Sequence, residues 1–265
     1  MRVERLNQME AYILSKGTVT LYALSEHFDI SLNTVRRDVA DLIDRGHIRK
    51  VYGGVSVRHN PDSKPYSVLL PIAKRTEMHP QEKQIIGTIA ASLVEDDSVV
   101  FLDSGSTVPY MLPGLAEKNA TIVTHSLSVM LEATKYPNLR VLALGGKLNH
   151  ATNSLVGDAM FGLRSIRLHA LFMAATALSV EWGASNNTYE EYRLKSELTQ
   201  LHSRIYMLAD SSKFGKNATY CYCPFTRIKG IVTDRLPNPA FLKAMRDNNI
   251  KLYYPGTPES EAIEK

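Results

Sequence analysis

Apolar residues at Val3, Leu6, Met9, Ile13 and Leu14 recur at a helical spacing, so the chain opens on an amphipathic helix. Thr20 to Phe28 reads as a shorter second helix, and Phe28-Asp29-Ile30 as a tight turn. Ser31 then caps a third helix that continues through Val39. Leu21, Leu24 and Phe28, with Val35, Val39, Leu42 and Ile43, supply the rest of a small core. From Ile48 to Val57 apolar and polar residues alternate around Gly53-Gly54, the pattern of a short hairpin. Two short helices joined by a tight turn and followed by a basic hairpin predict a winged helix-turn-helix of α+β class over residues 1–58.

The pattern then changes. His59-Asn60-Pro61-Asp62-Ser63-Lys64-Pro65 is rich in turn formers and reads as a linker, and Tyr66 to Pro80 as either a strand or an ordered arm, so that 59–80 forms a linker and arm. From Gln81 helical stretches alternate with short β-rich runs. Helices are predicted over Gln81–Val94, from about Val108, from Leu127, near Asp158–Leu163, over Tyr189–Leu201 and over Pro239–Asn248. The strands between them are Ser98–Leu102, Thr121–Val123, Arg140–Leu144, Ala170–Ala174, Arg204–Leu208, Gly230–Val232 and Ile250–Tyr253. Such alternation predicts an α/β domain with a parallel sheet covered on both faces over residues 81–254. The Pro-, Gly- and Glu-bearing tail, 255–265, is expected to be disordered, and no internal repeat is present.

At 265 residues there is room for a small domain joined to a medium one. A net charge of +4 excludes a generally polycationic nucleic-acid binder, so any DNA affinity must come from local arrangement. Between Ser31 and Lys50 five basic residues face three acidic ones. That modest excess implies assembly into a homodimer or homotetramer to reach useful affinity. No apolar run approaches membrane-spanning length and Met1-Arg2-Val3-Glu4 opens no signal-peptide pattern, so the protein is expected to stay in the cytoplasm with no membrane partner. The two cysteines, Cys221 and Cys223, share one face of a predicted strand; two ligands do not close a zinc site, and neither a metal nor another cofactor is expected.

Basic and hydroxylated side chains at a helix N-terminus suit phosphates and base edges in a major groove, so the expected partner is double-stranded operator DNA. The candidate DNA-binding residues are Ser31, Asn33, Thr34, Arg36 and Arg37 on the reading helix, with Arg49, Lys50 and Tyr52 in the wing. In the second domain, ligands of a parallel sheet gather at the carboxyl ends of its strands. Asp103-Ser104-Gly105-Ser106-Thr107 follows one strand directly before a helix and can surround an anion with backbone N–H groups, or be only a tight turn. Gly145-Gly146-Lys147 follows a second strand. Asp210 and Lys213 follow a third, where they can hold hydroxyl and phosphate groups or simply pair with each other.

The first domain resembles the N-terminal domain of the DeoR family of bacterial repressors. The family's signature stands here as Ser31, Thr34 to Val39, Gly46, Ile48, Lys50 and Tyr52 to Gly54. Residues from about Gln81 to Tyr254 resemble that family's sensor domain, whose fold is similar to ribose-5-phosphate isomerase; Ser104 to Thr107 matches the isomerase phosphate loop, and Leu208 to Gly215 is close to the family's own pattern. Where the family commonly shows Thr-Asn-Ser, this chain has Thr124-His125-Ser126, so His125 either lines the pocket or is structural. Trp182 to Asn187, leading to Glu190-Glu191-Tyr192 and Lys195, together with Met9 to Ser15, most resembles the family's repressors of myo-inositol catabolism. The resemblance implies a phosphorylated sugar or keto-sugar acid as effector, with Asn186 and Lys195 among its contacts.

Two functions compete on these residues. One is a repressor of carbohydrate catabolism that releases DNA when a sugar phosphate binds. The other is a sugar-phosphate isomerase carrying a DNA-binding head. Aldose–ketose isomerisation needs a carboxylate base over the sugar carbon. The isomerase's Asp-Gly-Ala-Asp segment should follow the strand Ala170–Ala174, but Ala174 to Ser179 contains no carboxylate, leaving only Glu190 and Glu191 as candidates. No catalytic residue is assigned, and a non-enzyme is expected.

Overall fold

A computed structural model describes residues 5–6, 8–10, 12–13, 18–44, 48–51, 53–57, 71–157 and 163–256. The chain divides into two compact units, Met1–Pro65 and Tyr66–Lys265.

In the first unit the described residues between 5 and 13 are helical. Strand β1 (Thr18–Thr20) leads into α1 (Leu21–Phe28), whose N-cap Thr20 accepts a hydrogen bond from Ala23 N–H at 3.1 Å. Asp29 ends α1 in the left-handed region, at φ 48°, and Ile30 N–H returns to Ser25 O at 3.2 Å, which closes the tight turn. Ser31 then accepts from Thr34 N–H at 3.2 Å and opens α2 (Leu32–Asp44). Strands β2 (Ile48–Val51) and β3 (Gly54–Val57) form the expected wing, but β1 adds to it as a third antiparallel strand, in the order β1-β3-β2. Sequence reading missed β1 because three residues carry too little alternation to register as a strand. The pairing requires glycine. A Cβ on Gly54 would stand 2.3 Å from Val19 O, and Gly53 turns at φ +76°. Leu6, Met9, Ile13, Leu24, Val35, Val39, Leu42, Ile48 and Val55 form the core, with Leu21, Phe28 and Ile43 packed partly buried against it. Val3, Leu14 and Gly46 lie outside the described residues.

In the second unit residues 71–79 form an arm with a short helix, α3 (Ile72–Glu77), so the ordered alternative holds over that stretch; residues 59–70 lie outside the described ones. A seven-stranded, wholly parallel sheet follows, in the order β15-β14-β12-β9-β4-β5-β6. Its strands are β4 (Val99–Leu102), β5 (Thr121–Thr124), β6 (Arg140–Ala143), β9 (Ala170–Ala174), β12 (Ile205–Leu208), β14 (Gly230–Val232) and β15 (Lys251–Tyr253). Alternate strand residues serve different cores. Val100, Leu102, Phe172 and Leu208 pack with α4 (Pro80–Ser92) and α5 (Leu127–Ala133), while Phe101, Leu171, Met173 and Met207 pack with α6 (Tyr189–Leu201) and α7 (Pro239–Asp247). The central strands are buried on both faces and have no polar side, which is why they read as unbroken apolar runs. The expected cover fails at the edge strand β6, where every residue from Arg140 to Ala143 is exposed.

Three expectations need correction. The helix from Val108 is a 3-10 helix, Val108–Leu115, entered through bonds three residues back, Val108 N–H to Gly105 O at 3.1 Å and Tyr110 N–H to Thr107 O at 3.2 Å. Near Asp158–Leu163 the described residues show only a 3-10 turn, Leu163–Ser165, and 158–162 fall outside them. The stretch after β9 adds β10 (Ala177–Ser179) and β11 (Gly183–Asn186), which join β13 (Tyr220–Cys223) in a small antiparallel sheet; β7 (Lys147–Asn149) and β8 (Ser154–Val156) form a separate hairpin. The tail from 257 onward lies outside the described residues.

Candidate DNA-binding face and ligand cleft

On α2 the inward positions Val35, Val39 and Leu42 leave Asn33, Arg36, Arg37 and Ala40 exposed at helical spacings of three and four, one continuous outer stripe. Ser31 is exposed as well, and its hydroxyl stands 2.9 Å from that of half-buried Thr34, so both belong to the cap that fixes the helix start. Asp38, in the middle of the basic stretch, points the other way. It is fully buried and accepts from Arg5 Nε at 2.8 Å, which ties α2 to the first helix instead of opposing DNA. Lys50 is exposed on β2; Arg49 lies on the same strand, and Tyr52 lies outside the described residues. Leu21 N–H donates to Gly53 O at 3.2 Å, which ties the wing turn to the start of α1. Tyr22 on α1 is a surface aromatic, 65% exposed, outside the residues assigned to core or DNA-binding face from sequence.

In the sensor unit the strand order fixes where a cleft can form. After β4 the chain builds β5 and β6 on one side, then returns to lay β9 on the other side of β4 and continues outward through β12, β14 and β15. The loops that follow β4 and β9 therefore diverge, and a crevice opens between them at the carboxyl ends of the strands. A cleft lies there, lined by Gly105, Ser106 and Thr107 after β4, by Ala174, Ala175 and Thr176 after β9, and by Asp210 and Lys213 after β12. Glu191 and Lys195 reach it from α6, and Arg75, Met78, His79 and Lys83 from the arm and the start of α4.

A buried charge network supports the cleft floor. Asp103 is fully buried; it accepts from Ser104 N–H at 2.8 Å, from Ala174 N–H at 2.9 Å and from Lys195 Nζ at 2.7 Å. Burial alone would raise the Asp103 carboxyl, but the Lys195 ammonium, helped by His125 and the Ala174 N–H, outweighs it and holds the group below its ordinary value. Lys195 also donates to Ala174 O at 3.1 Å and stands 5.1 Å from the centre of the Tyr222 ring, whose hydroxyl donates to the same carbonyl at 3.0 Å. Asp103 and Lys195 thus clamp the β4 and β9 loops together. Gly105 is required by that clamp, because a Cβ there would meet Ala174 Cβ at 2.0 Å. Glu191 accepts from Thr188 Oγ1 at 2.8 Å and from Ser104 Oγ at 3.4 Å. Lys213 is about one-third exposed and 3.9 Å from Asp210 Oδ2, while Asp210 caps the following turn through Ser212 N–H at 2.9 Å.

The cleft lining holds four cationic side chains, Arg75, Lys83, Lys195 and Lys213, against two carboxylates, Glu191 and Asp210. Burial, followed by the nearby Lys213 and Arg75 charges, outweighs the pull of Asp210 and lowers Lys83 to about 8; burial likewise lowers Arg75, against Glu191 and Asp103. Such a site is short of negative charge.

The structure gathers Gly105, Ser106, Thr107, Lys195, Asp210 and Lys213 into this cleft, with Asp103 and Ser104 buried beneath it. It does not bring Gly145, Gly146 or Lys147 there. They follow β6, the edge strand two places from β4, and are exposed. Asn186 ends β11, buried and off the lining, with neither amide atom hydrogen-bonded among the described residues. His125 is also off the lining; it is fully buried, stacked on Phe101 at 5.7 Å and 3.9 Å from Asp103, and burial lowers its pKa against the pull of Asp103. Arg75, His79, Lys83 and Glu191 were absent from the expected contacts. Only the basic character of Lys74-Arg75 and Lys83 around Pro80 hinted at them. Burial raises Cys221 to about 11 and Cys223 to about 12, so both are thiols at neutral pH. Among the described residues no group of three or more His, Cys, Asp or Glu could hold a metal, and no helix is long and apolar enough to cross a membrane.

A winged helix-turn-helix joined to a parallel-sheet unit with an anion-deficient cleft defines a ligand-responsive DNA-binding protein. Residues 5–60 match the DeoR-like helix-turn-helix domain and residues 78–235 the DeoR C terminal sensor domain. The chain belongs to the DeoR family. It is 36% identical over 255 residues to the HTH-type transcriptional regulator IolR of Bacillus subtilis, covering 96% of this chain and 99% of that one. It is 26% identical to the Glycerol-3-phosphate regulon repressor of Escherichia coli, over 95% and 98% of the two chains. Identity to the Lactose phosphotransferase system repressor of Staphylococcus aureus is 28%, over 87% and 91%. Among solved structures, ribose 5-phosphate isomerase A from Neisseria gonorrhoeae aligns at 14% identity with a TM-score of 0.38, over 51% of this chain and 53% of that one.

Proposed function

We propose that the chain is a transcriptional repressor of a carbohydrate-catabolic operon, held on double-stranded operator DNA by the outer stripe of α2 and the wing, and released when a phosphorylated sugar enters the sensor cleft. The observation that carries the ligand half is the cation surplus around Gly105 to Thr107, at the point where the parallel sheet reverses its winding. With Lys195 paired to the buried Asp103, Arg75, Lys83 and Lys213 face Glu191 and Asp210, which leaves a net positive charge for the close to two negative charges of a phosphate monoester to answer. The relatives named as repressors of the lactose phosphotransferase system and of the glycerol-3-phosphate regulon support the same class of effector. The resemblance around Met9–Ser15 and Trp182–Lys195, with the 36% identity to IolR, supports myo-inositol catabolism as the pathway and a phosphorylated keto-sugar acid as inducer.

Binding without turnover is the reading that suits the carboxylates. Ala174 to Ser179 offers none, Asp103 is committed to Lys195, and Glu191 is engaged by Thr188 and Ser104. The protein acts in the cytoplasm as a homo-oligomer. Fluorescence anisotropy on the chain's own promoter DNA tests the whole reading. A phosphorylated sugar should release the DNA while its unphosphorylated analogue does not. Lys213→Ala should keep operator affinity and lose release, since a ligand shifts an equilibrium only by its differential affinity for the two states. Absent promoter affinity, or interconversion of aldose and ketose phosphates by the wild type, would sink it.

A further inference from the structure

β6 (Arg140–Ala143) is one edge of the seven-stranded sheet, and each of its residues is exposed. The opposite edge differs, since Leu252 and Tyr253 of β15 are buried. Adjacent residues of a strand point to opposite faces, so β6 lacks cover on both. Val141, 39% exposed, stands beside Ile122 and shares its face, while Leu142, 45% exposed, stands beside Val123 and shares the other. Helix α5, which packs against β6, adds Leu131 at 68%, the most exposed large apolar side chain among the described residues. The edge also lacks the guards that keep sheet edges from pairing. Its register on β5 is regular, it contains no proline, and its one charge is Arg140 at its start. Arg140 N–H donates to Ala120 O at 3.0 Å and Leu144 N–H to Thr124 O at 2.8 Å, so Arg140, Leu142 and Leu144 turn their backbone groups to β5. The N–H and C=O groups of Val141 and Ala143 therefore face outward.

We propose that β6 pairs antiparallel with β6 of a second copy of this chain, about a two-fold axis at Leu142. The inference rests on the homo-oligomer reading above and names the surface that carries it. A two-fold axis normal to a sheet keeps each residue on its own face, and residues directly opposite in an antiparallel pair share a face. The pairing must therefore join odd residues to odd and even to even. Centred on Leu142, it sets Val141 opposite the partner's Ala143 and Ala143 opposite the partner's Val141. These are the residues whose backbone groups face outward, so every such group at the joint finds a partner. Centred on Val141 instead, the pairing would need Leu139, whose N–H already donates to Tyr136 O at 3.0 Å. At the axis Leu142 meets its own copy on one face, and on the other Val141 meets the small Ala143 beside Leu131. Arg140 stands opposite the partner's Leu144, so no like charges oppose one another. Specific operator affinity needs more than one winged head, and this two-fold supplies the second.

Light scattering on the full chain tests this with charge placed at the axis. Leu142→Lys sets ammonium against ammonium, and Leu142→Glu carboxylate against carboxylate. Each should keep the wild-type circular dichroism spectrum, because Leu142 is exposed within one copy, and each should show half the wild-type mass. An equimolar mixture should regain the full mass, since a mixed pair sets Lys against Glu. Leu142→Cys gives an independent readout, and it decides alone should a charge variant lose its spectrum. Cα atoms of a non-hydrogen-bonded antiparallel pair lie about 4.5 Å apart, within disulfide range, so mild oxidant should link the copies covalently. Ala143→Cys, which faces Val141, should link no more than the wild type, whose own thiols are Cys221 and Cys223. Unchanged mass in both charge variants with no Leu142→Cys link, as when another segment of the chain or a different protein covers the edge, would overturn the inference and leave the homo-oligomer reading standing. A monomeric wild type with full operator affinity would overturn both.

Discussion

Arg36 and Arg37 share the exposed stripe of α2 with Asn33 and Ala40, whereas Asp38, between them and the core, is spent on Arg5. Arg36→Ala and Arg37→Ala should each weaken operator binding by about 1–3 kcal/mol without lowering the melting temperature, because each removes an exposed groove contact and no packing. Anisotropy titrations at two salt concentrations measure it, and unchanged affinity in both variants would refute the docking face. These side chains were legible in the sequence because helix period alone decides which residues of a capped helix face out. The ligand cleft was only half legible. Gly105 to Thr107, Asp210 and Lys213 stand at strand ends that pattern reading locates, but nothing in a linear pattern says that Arg75 and Lys83 are brought to them. Lys83 also sets the pH response. Its folded pKa, about 8, lies below the 10.5 of an unfolded lysine, under the combined action of burial, Arg75, Lys213, Asp210 and Glu82. The folded state therefore binds fewer protons between those values, and stability from this group should rise as pH climbs from about 8 toward 10.5. Melting temperatures taken between pH 8 and 10.5 check this, and Lys83→Met should flatten the rise.

Among the elements, the three-stranded wing sheet depends on Gly54. Any side chain there meets the Val19 carbonyl at 2.3 Å, and backbone cannot move aside as a flexible side chain can. Gly54→Val should destabilise the first unit by about 1–3 kcal/mol, read as a lower melting temperature, and should weaken DNA binding only through that loss. A melting temperature equal to wild type would show that β1 does not pair with β3. Long elements such as α6 and the central strands declared themselves through period and apolar runs. Short ones did not. β10 and β11 are three and four residues of small and polar type, held by Gly183 at φ +81°, whose place a Cβ would take 2.3 Å from Cys223 O. The helix expected from about Val108 is of the 3-10 type, a distinction the apolar pattern cannot make because both types put apolar residues on one side.

For the whole molecule, one winged head covers too few base pairs to reach specific affinity alone, so at least a dimer is expected on DNA. Light scattering at working concentration should show an even-numbered assembly, and the promoter should carry repeated half-sites; a monomer with full operator affinity would exclude it. Local patterns along the chain were enough to specify two units, a capped reading helix, a wing and an all-parallel sheet, since each depends on periodicity, caps and glycine tolerance that act between near neighbours. The order of the strands is a long-range property. It placed the return from β6 to β9 beside β4, opened the cleft at that reversal, left Gly145 to Lys147 at the edge, buried Asp103 against Lys195, and drew the arm's Arg75 to the same site. Those outcomes follow from which apolar faces pack together across residues far apart in the chain, and no spacing within one segment encodes them.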